Sequence, residues 1–232
     1  MKKLILLIIV LISISGYAQD NVVKLGVLGA GYGDFSLIYE RKVTPKSAIN
    51  FTVGYLNPNL SVLDWFEVDN ASSGMTLREL KSGFHTSFDY KFYLGKEEAT
   101  KGFYIAPYLR FINYNSLFSD EIVGKDFNVD VKFNSAGIGF QMGYHWIVYE
   151  NISIDWYFLG IEGAYMWPKA IYTTGESNFD YSTVKGSIQE SISSIWYFRN
   201  KLVQTTNRNN QTVWIPSFIP LLRTGISVGY AF

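Results

Sequence analysis

The last nine residues of the chain form an apparent strand with two contrasting faces, and this pattern limits the possible folds most. Every second side chain in residues 224–232 is large and apolar, namely Ile226, Val228, Tyr230 and Phe232. The side chains between them are small or polar, namely Gly225, Ser227, Gly229 and Ala231. Because side chains alternate between the two faces of a strand, one face is wholly apolar and the other nearly bare. The sequence therefore predicts a β-rich protein that ends in a hydrophobic strand.

The same alternation recurs along the chain and predicts about eight strands. The segments are residues 22–29, 35–43, 48–56, 84–94, 103–111, 135–146, 152–159 and 217–232. Large aromatic side chains occupy one face, while the other carries Gly, Ser, Ala and charged residues. A soluble core built from the small face would be nearly empty, and one built from the large face would be overfilled. This favours an all-β fold, a transmembrane antiparallel up-and-down β-barrel, over a soluble sandwich or lipocalin-like barrel.

Composition agrees with a barrel whose apolar face meets lipid. Aromatic residues make up 17% of the chain, and charged residues also make up 17%, below the roughly 25% of soluble domains. Lys plus Arg and Asp plus Glu both total 20, so no nucleic-acid partner is expected. The chain contains no cysteine, which excludes disulfides and lipoprotein processing.

The N-terminus carries the pattern of an export signal. Lys2 and Lys3 precede an apolar run over residues 4–14, and Gly16 and Ala18 suit cleavage after Ala18. The run is shorter than the roughly 20 residues of a spanning helix. We therefore predict a signal peptide over residues 1–18 and one barrel domain over residues 19–232.

The connections between predicted strands alternate between short and long. Residues 44–47, 95–102 and 149–151 are short links, whereas residues 57–79, 116–132 and 168–212 are long. With both termini in the periplasm, the short links fall on the periplasmic side and the long ones outside. The alternation blurs after Leu159, which predicts a bulge.

The last long connection has a helical pattern. Ser187 and Glu190 form a capping box, followed by apolar residues at three- and four-residue spacing. This predicts an amphipathic helix over about residues 186–204. A pair of extra strands, which would extend the barrel to ten, is the alternative.

The terminal strand resembles that of small Gram-negative outer-membrane β-barrels of the OmpA/OmpX type. In that family an aromatic last residue and an aromatic residue two before it, here Phe232 and Tyr230, form an assembly signal for the barrel-insertion machinery. The resemblance implies an outer-membrane location. It also implies contact with membrane lipids and lipopolysaccharide, and a further extracellular or envelope partner.

Several charged or polar residues fall on the inward face of the predicted strands. The predicted interior network consists of Glu40, Asp89, Lys91, Arg110, His145, Asp155 and Arg223, with Lys24 on the same face. A three-residue link over residues 149–151 places His145 opposite Asp155, and Asp89 lies within diagonal reach of Arg110. Eight strands leave room only for side chains, so we expect a polar plug rather than an ion path.

Only one pattern hints at catalysis. His85 and Ser87 share a strand face, and lipid A deacylases are similar barrels with an H-x-S element. Here the pair faces inward, so we expect a non-enzymatic barrel with a structural or interaction role through its outer loops. A lipid A-modifying hydrolase and a narrow channel or secretion accessory are the alternatives. No zinc, calcium, phosphate-loop or dinucleotide motif is present, so no cofactor or metal is expected.

Overall fold

The computed structural model describes residues 20–57, 76–79, 82–95, 99–122, 125–175, 179–182, 185–186, 189, 201–207 and 210–232. The predicted signal peptide lies outside the described residues. The described part contains 12 strands and the short helix α1 (Val27–Ala30). The strands are β1 Asn21–Gly26, β2 Asp34–Thr44, β3 Ser47–Leu56, β4 Thr76–Glu79, β5 Gly83–Tyr93, β6 Gly102–Ile122, β7 Lys125–Val148, β8 Ile152–Met166, β9 Lys169–Thr173, β10 Val203–Thr206, β11 Gln211–Trp214 and β12 Ser217–Ala231.

Eight of these strands pair in a closed antiparallel ring, which confirms the all-β prediction. The order is β1-β2-β3-β5-β6-β7-β8-β12, and β12 pairs back onto β1. Asn21 and Phe232 complete the closure, because the backbone N–H of each donates to the carbonyl oxygen of the other at 3.0 and 2.8 Å. The first predicted strand is too long, since β1 ends at Gly26 and α1 follows it. No helix in the described part is long and apolar enough to cross a membrane.

The two ends of the ring differ. At one end lie Asn21, Phe232 and the connections over residues 45–46, 94–101 and 149–151, as the pattern of links predicts; we call this the short-turn end. The opposite end carries the other connections, and we call it the long-loop end. The bulge predicted near Leu159 is confirmed, because the register shifts between Met142 and Gly143 against β8, and between Arg223 and Gly225 on its other side.

The outer face of the ring is apolar and the inner face is polar. Leu37, Phe51, Phe88, Leu109 and Ile138 are among the exposed outward residues. The inward positions of the same strands hold buried polar side chains, including Glu40, Asn50, Ser87, Asp89 and Gln141. This distribution is the reverse of a soluble domain, in which the apolar side chains are the buried ones.

The two longest strands extend beyond the ring, which corrects the prediction of a loop over residues 116–132. β6 and β7 pair without interruption from Gly102–His145 to Ile122–Lys125. Their outer halves bind β4 on one side and β9, β11 and β10 in turn on the other. We call this part the extension sheet. Its strands add to the ring's outer end and leave the ring at eight, so the ten-stranded alternative is wrong.

The extension sheet has a hydrophobic core of its own. Phe127, Val129, Tyr181 and Val213 are buried together, and the Phe127 ring packs edge-on against Phe179 and Tyr181. The helix predicted over residues 186–204 lies mostly outside the described residues. Its C-terminal boundary is wrong, because Val203 begins β10. Gly186 and Gln189 have helical backbone.

Inward glycines make room for large side chains on neighbouring strands. A Cβ atom at Gly143 would lie 2.5 Å from the Tyr104 hydroxyl, and one at Gly225 would overlap Tyr157. A Cβ atom at Gly160 would meet the Arg223 side chain. The inward glycines therefore leave space that large side chains from neighbouring strands occupy.

We predict that Gly143→Val destabilises the ring. The new side chain would displace Tyr104 and overpack the interior, which costs about 1–3 kcal/mol of unfolding free energy. Denaturant titration followed by tryptophan fluorescence measures the change. Gly175→Val is the matched control, because a Cβ atom there meets no atom within 4 Å. Equal midpoints for the two variants would contradict the packing described above.

Candidate functional site

Four buried charges form a closed cluster inside the ring, close to its short-turn end. Nζ of Lys24 lies 2.5 Å from Oε2 of Glu40 and 2.6 Å from Oδ2 of Asp155. Nζ of Lys91 lies 2.7 and 2.5 Å from the same two oxygens. All four residues are at most 4% exposed, and they come from β1, β2, β5 and β8. We call them the charge quartet. Two cations and two anions in mutual contact leave it formally neutral.

Two tyrosines satisfy the remaining carboxylate oxygens of the quartet. The Tyr93 hydroxyl donates to Oε1 of Glu40 at 2.5 Å, and the Tyr104 hydroxyl donates to Oδ1 of Asp155 at 2.8 Å. The ammonium group of Lys91 also lies 4.2 Å from the centre of the Tyr104 ring. A buried ion cluster needs such complete pairing to be tolerated, so the quartet is a structural unit rather than a set of reactive groups.

His145 extends this network toward the short-turn end. It pairs with Asp155 across β7 and β8, as predicted from the link between these strands. Its side chain, however, contacts other groups: Nδ1 lies 3.1 Å from the Tyr93 hydroxyl and 3.5 Å from Oε1 of Glu40, and Nε2 lies 2.7 Å from the Ser153 hydroxyl. Register alone therefore gives the strand pairing of His145 but not its side-chain partners.

Two carboxylates of the quartet, together with His145, form a set of possible metal ligands. Glu40, His145 and Asp155 can bring one ligand atom each within 4.8 Å of one another. Both carboxylates, however, already accept hydrogen bonds from Lys24 and Lys91. A cation would have to displace two buried ammonium groups, so these residues fit an ion-pair cluster better than a metal site.

A second layer of charge lies nearer the long-loop end. Nε of Arg110 is 2.9 Å from Oε2 of Glu162, close enough for an ion pair but not aligned as a hydrogen bond. Arg110 therefore pairs with Glu162 rather than with Asp89, its expected diagonal neighbour. The Arg223 guanidinium stacks between two tyrosine rings, 4.6 Å from the centre of Tyr108 and 4.7 Å from that of Tyr157.

A cavity of about 390 Å³ occupies the interior beside the quartet. This corrects the expectation that side chains fill the whole lumen. Asn50, Asp89, Gln141 and Arg223 line the cavity, and each has a buried polar atom without a hydrogen-bond partner. The sealed part of the interior therefore gives way to a polar chamber.

His85 and Ser87 both face this chamber but do not pair with each other. Nε2 of His85 lies 2.9 Å from Oδ1 of Asp34 and 3.2 Å from the Ser36 hydroxyl, while Nδ1 has no partner. A nucleophilic triad needs the acid on one ring nitrogen and the nucleophile on the other. Here both candidate partners share Nε2, so the arrangement does not orient a catalytic base.

Sequence reasoning missed several residues of this site. Tyr93 and Asp34 lie at strand ends, where alternation does not tell a lumen residue from a turn residue; alternation does place Ser36 on the inward face, but it gives no sign of a contact with His85. Glu162 follows the bulge in β8, and alternation resumes at Gly160. That resumed alternation is the signal that could have identified Glu162.

Comparison with known proteins gives a family but no function. A family model described as "Protein of unknown function (DUF3575)" matches residues 4–159, about two thirds of the chain. The chain belongs to this family. No curated protein and no solved structure matches the chain.

We predict that Lys91→Met strongly destabilises the protein. The substitution keeps the length of the side chain but leaves Glu40 and Asp155 with one cation, and breaking a buried ion pair costs about 3–5 kcal/mol. Thermal and denaturant unfolding measure the loss. Lys132→Met, at an exposed position on β7, is the control and should change the unfolding free energy by less than about 0.5 kcal/mol. Similar stabilities for the two variants would mean that the quartet contributes little.

Proposed function

We propose that this chain is an outer-membrane β-barrel of the OmpA/OmpX type with no enzymatic activity. In this proposal the ring is the membrane-spanning part, the short-turn end faces the periplasm, and the extension sheet stands outside the cell. The barrel conducts no ions and acts through its outer surface, on which another envelope or extracellular component docks. The predicted export signal and the aromatic terminal strand support the outer membrane as its location.

The observation that carries the proposal is the apolar outer face of the ring. Exposed apolar side chains occur on every ring strand; they include Leu25, Leu37, Val53, Phe88, Leu109, Phe140, Ile161 and Leu222. A continuous apolar surface of this extent is foreign to monomeric soluble proteins. Lipid is the solvent that such a face fits, because a closed ring also satisfies its own backbone hydrogen bonds.

Aromatic side chains form two bands on this face. Near the long-loop end Phe84, Phe111, Trp167 and Tyr165 make a chain of ring contacts. Near the short-turn end the contacts join Tyr90 with Phe92, Tyr144 with Trp146, and Trp156 with Phe158. Eight residues separate Phe84 from Phe92, which for a tilted strand spans about 20 Å. Bands at this separation match the two interfaces of a bilayer.

The interior supports a barrel that is closed to ions. The charge quartet crosses the lumen, and Ala99 and Thr100 are buried at the short-turn end. The backbone N–H of Ala99 donates to the carbonyl oxygen of Pro45 at 2.8 Å. A channel would instead require a continuous polar path past these groups.

The extension sheet supports the interaction role. Its buried cluster of Phe127, Val129, Tyr181 and Val213 holds the outer strands as a packed unit. A packed sheet presents a fixed surface to a partner, at a lower entropic cost of binding than a flexible loop. The hydrolase alternative finds no comparable support, because Asp34 and Ser36 share one nitrogen of His85.

A charge placed on the outer face tests whether that face meets lipid. We predict that Leu109→Arg lowers the amount of assembled protein in the membrane, because arginine at a lipid-facing midplane position costs about 2–4 kcal/mol. The matched control is Val203→Arg: Val203 is 51% exposed and Leu109 is 57% exposed, but Val203 lies on the extension sheet. The measurement is the fraction of membrane-bound protein that migrates as a compact species in unheated SDS gels. Normal assembly of Leu109→Arg, or a wild type that fractionates as a soluble protein, would contradict the proposal.

Conductance separates the closed barrel from the channel alternative. We predict that the purified protein, reconstituted in a planar bilayer, gives no conductance steps above background. The physical reason is the quartet, whose ammonium and carboxylate groups block the lumen with direct contacts. Reproducible steps of one size from folded wild-type protein would favour the channel reading instead.

A further inference from the structure

Two charged side chains of the chamber, the buried Asp89 and the half-buried Arg223, lack a direct ion-pair partner in the described part of the chain. Asp89 is 1% exposed, and its contact is a 2.6 Å hydrogen bond that Nδ2 of Asn50 donates to Oδ2. Its other oxygen, Oδ1, has no partner. Arg223 is held by tyrosine rings rather than by a carboxylate, and its Nη1 is also without a partner. Both groups face the same cavity, and their opposite charges interact there only through space; burial of a charge without a direct partner is costly.

The other unpartnered atoms of the chamber include two acceptors, besides Nδ1 of His85 and Nε of Arg110. Oδ1 of Asn50 and Oε1 of Gln141 are buried without a hydrogen-bond donor, beside the free oxygen of Asp89. Three acceptors, one of them charged, suit a ligand group with several N–H donors and a positive charge. An ammonium group has this chemistry. Arg223 favours an anionic group on the same ligand, because its guanidinium has a free N–H that can donate to an anionic oxygen.

The wall of the ring is incomplete beside this chamber. The pairing of β1 with β12 stops at Gly26 and Ser227, whereas β12 continues to Ser217. Over the described residues no strand covers this edge of β12 beyond Ser227; the single turn of α1 follows β1 there and packs against both β12 and β2, so the strand wall is interrupted and only α1 covers it. The cavity lining includes Leu28 and Ile226, two partly exposed apolar residues of the outer surface. We call this interruption of the wall the notch.

We propose that the chamber binds a small zwitterion in which an ammonium group is tethered to a phosphate, as in phosphoethanolamine. The ammonium group lies against Asp89, Asn50 and Gln141, and the phosphate accepts hydrogen bonds from Arg223. The volume of about 390 Å³ lies within the range of small-molecule sites. The inference adds a ligand to the barrel proposed above and does not require its interaction role.

The notch indicates how a lipid could present this group. A head group in the chamber can leave its acyl chains outside, because Leu28 and Ile226 provide an apolar rim where the chamber meets the outer face. A free phosphoethanolamine would instead pass the long-loop end near Tyr32, which also lines the cavity and is exposed. The lipid head group and free phosphoethanolamine present the same ammonium and phosphate groups to the chamber, and experiment can distinguish the two.

The test measures binding to the full-length protein purified in detergent micelles. The probes are phosphatidylethanolamine, phosphatidylglycerol and soluble phosphoethanolamine, and native mass spectrometry with thermal protection reports binding. We expect one phosphatidylethanolamine per chain and at least a ten-fold preference over phosphatidylglycerol, which lacks the ammonium group.

Two variants test the assigned contacts. Asp89→Asn keeps the shape of the side chain but removes its charge, and it should reduce phosphatidylethanolamine binding at least ten-fold. Arg223→Gln should weaken all phosphate probes. Asp130→Asn, on the extension sheet and away from the cavity, is the control and should bind as the wild type does. The compact species in unheated gels shows that each variant is folded before binding is measured.

Leu28→Trp distinguishes the two sources, because a bulky rim obstructs a lipid while Asp89, Asn50, Gln141 and Arg223 keep their side chains. If Leu28→Trp loses lipid binding but still binds soluble phosphoethanolamine, the ligand of the chamber is the lipid head group. Binding of the soluble probe alone by the wild type assigns the free zwitterion. Equal binding of the two lipids, unchanged binding by folded Asp89→Asn, or no binding of any probe would overturn the inference. None of these results depends on the Leu109→Arg test, so the two proposals can fail separately.

Discussion

The charge quartet is the interaction on which the rest of the structure depends. Lys24, Glu40, Lys91 and Asp155 reach the lumen from four strands, and each ammonium group contacts both carboxylates. These contacts can form only at one stagger of the strands around the ring. Backbone pairing alone allows several staggers, so the quartet selects one of them. Buried charges that miss their partners are heavily penalised. The same groups that fix the stagger lie in mutual contact inside the lumen.

The interior is divided into two parts by this arrangement. Toward the short-turn end, Tyr93, Tyr104 and His145 complete the hydrogen bonds of the quartet. On the other side Asp89 and Arg223 line an open chamber without direct ion pairs. Both parts depend on glycines at inward positions, because Tyr104 lies over Gly143 and Arg223 over Gly160. An eight-stranded ring can therefore combine a rigid seal with a small polar cavity.

Alternation in the sequence predicted the ring well because strand faces follow directly from a period of two. It predicted which residues point inward, the bulge after Leu159 and the pairing of His145 with Asp155. It did not predict that Arg110 meets Glu162, since contacts across a ring depend on the stagger, which no local pattern encodes. It also took residues 116–132 for a loop, because charges such as Asp120, Asp126 and Asp130 hide the alternation of an extended hairpin. The chamber stays unfilled because of the combined volume of inward side chains from several strands. Alternation gives the direction of each side chain but not this combined volume.

The pairing of β1 with β12 has a consequence for the order in which the protein can be made. The ring closes between residues near the two ends of the chain, and Lys24 meets an aspartate 131 positions away. The first strand therefore leaves the ribosome long before its partner exists. Until β12 arrives, the sheet has two open edges that invite aggregation, and the long separation makes closure slow. Premature termination anywhere before β12 therefore leaves an unclosed sheet.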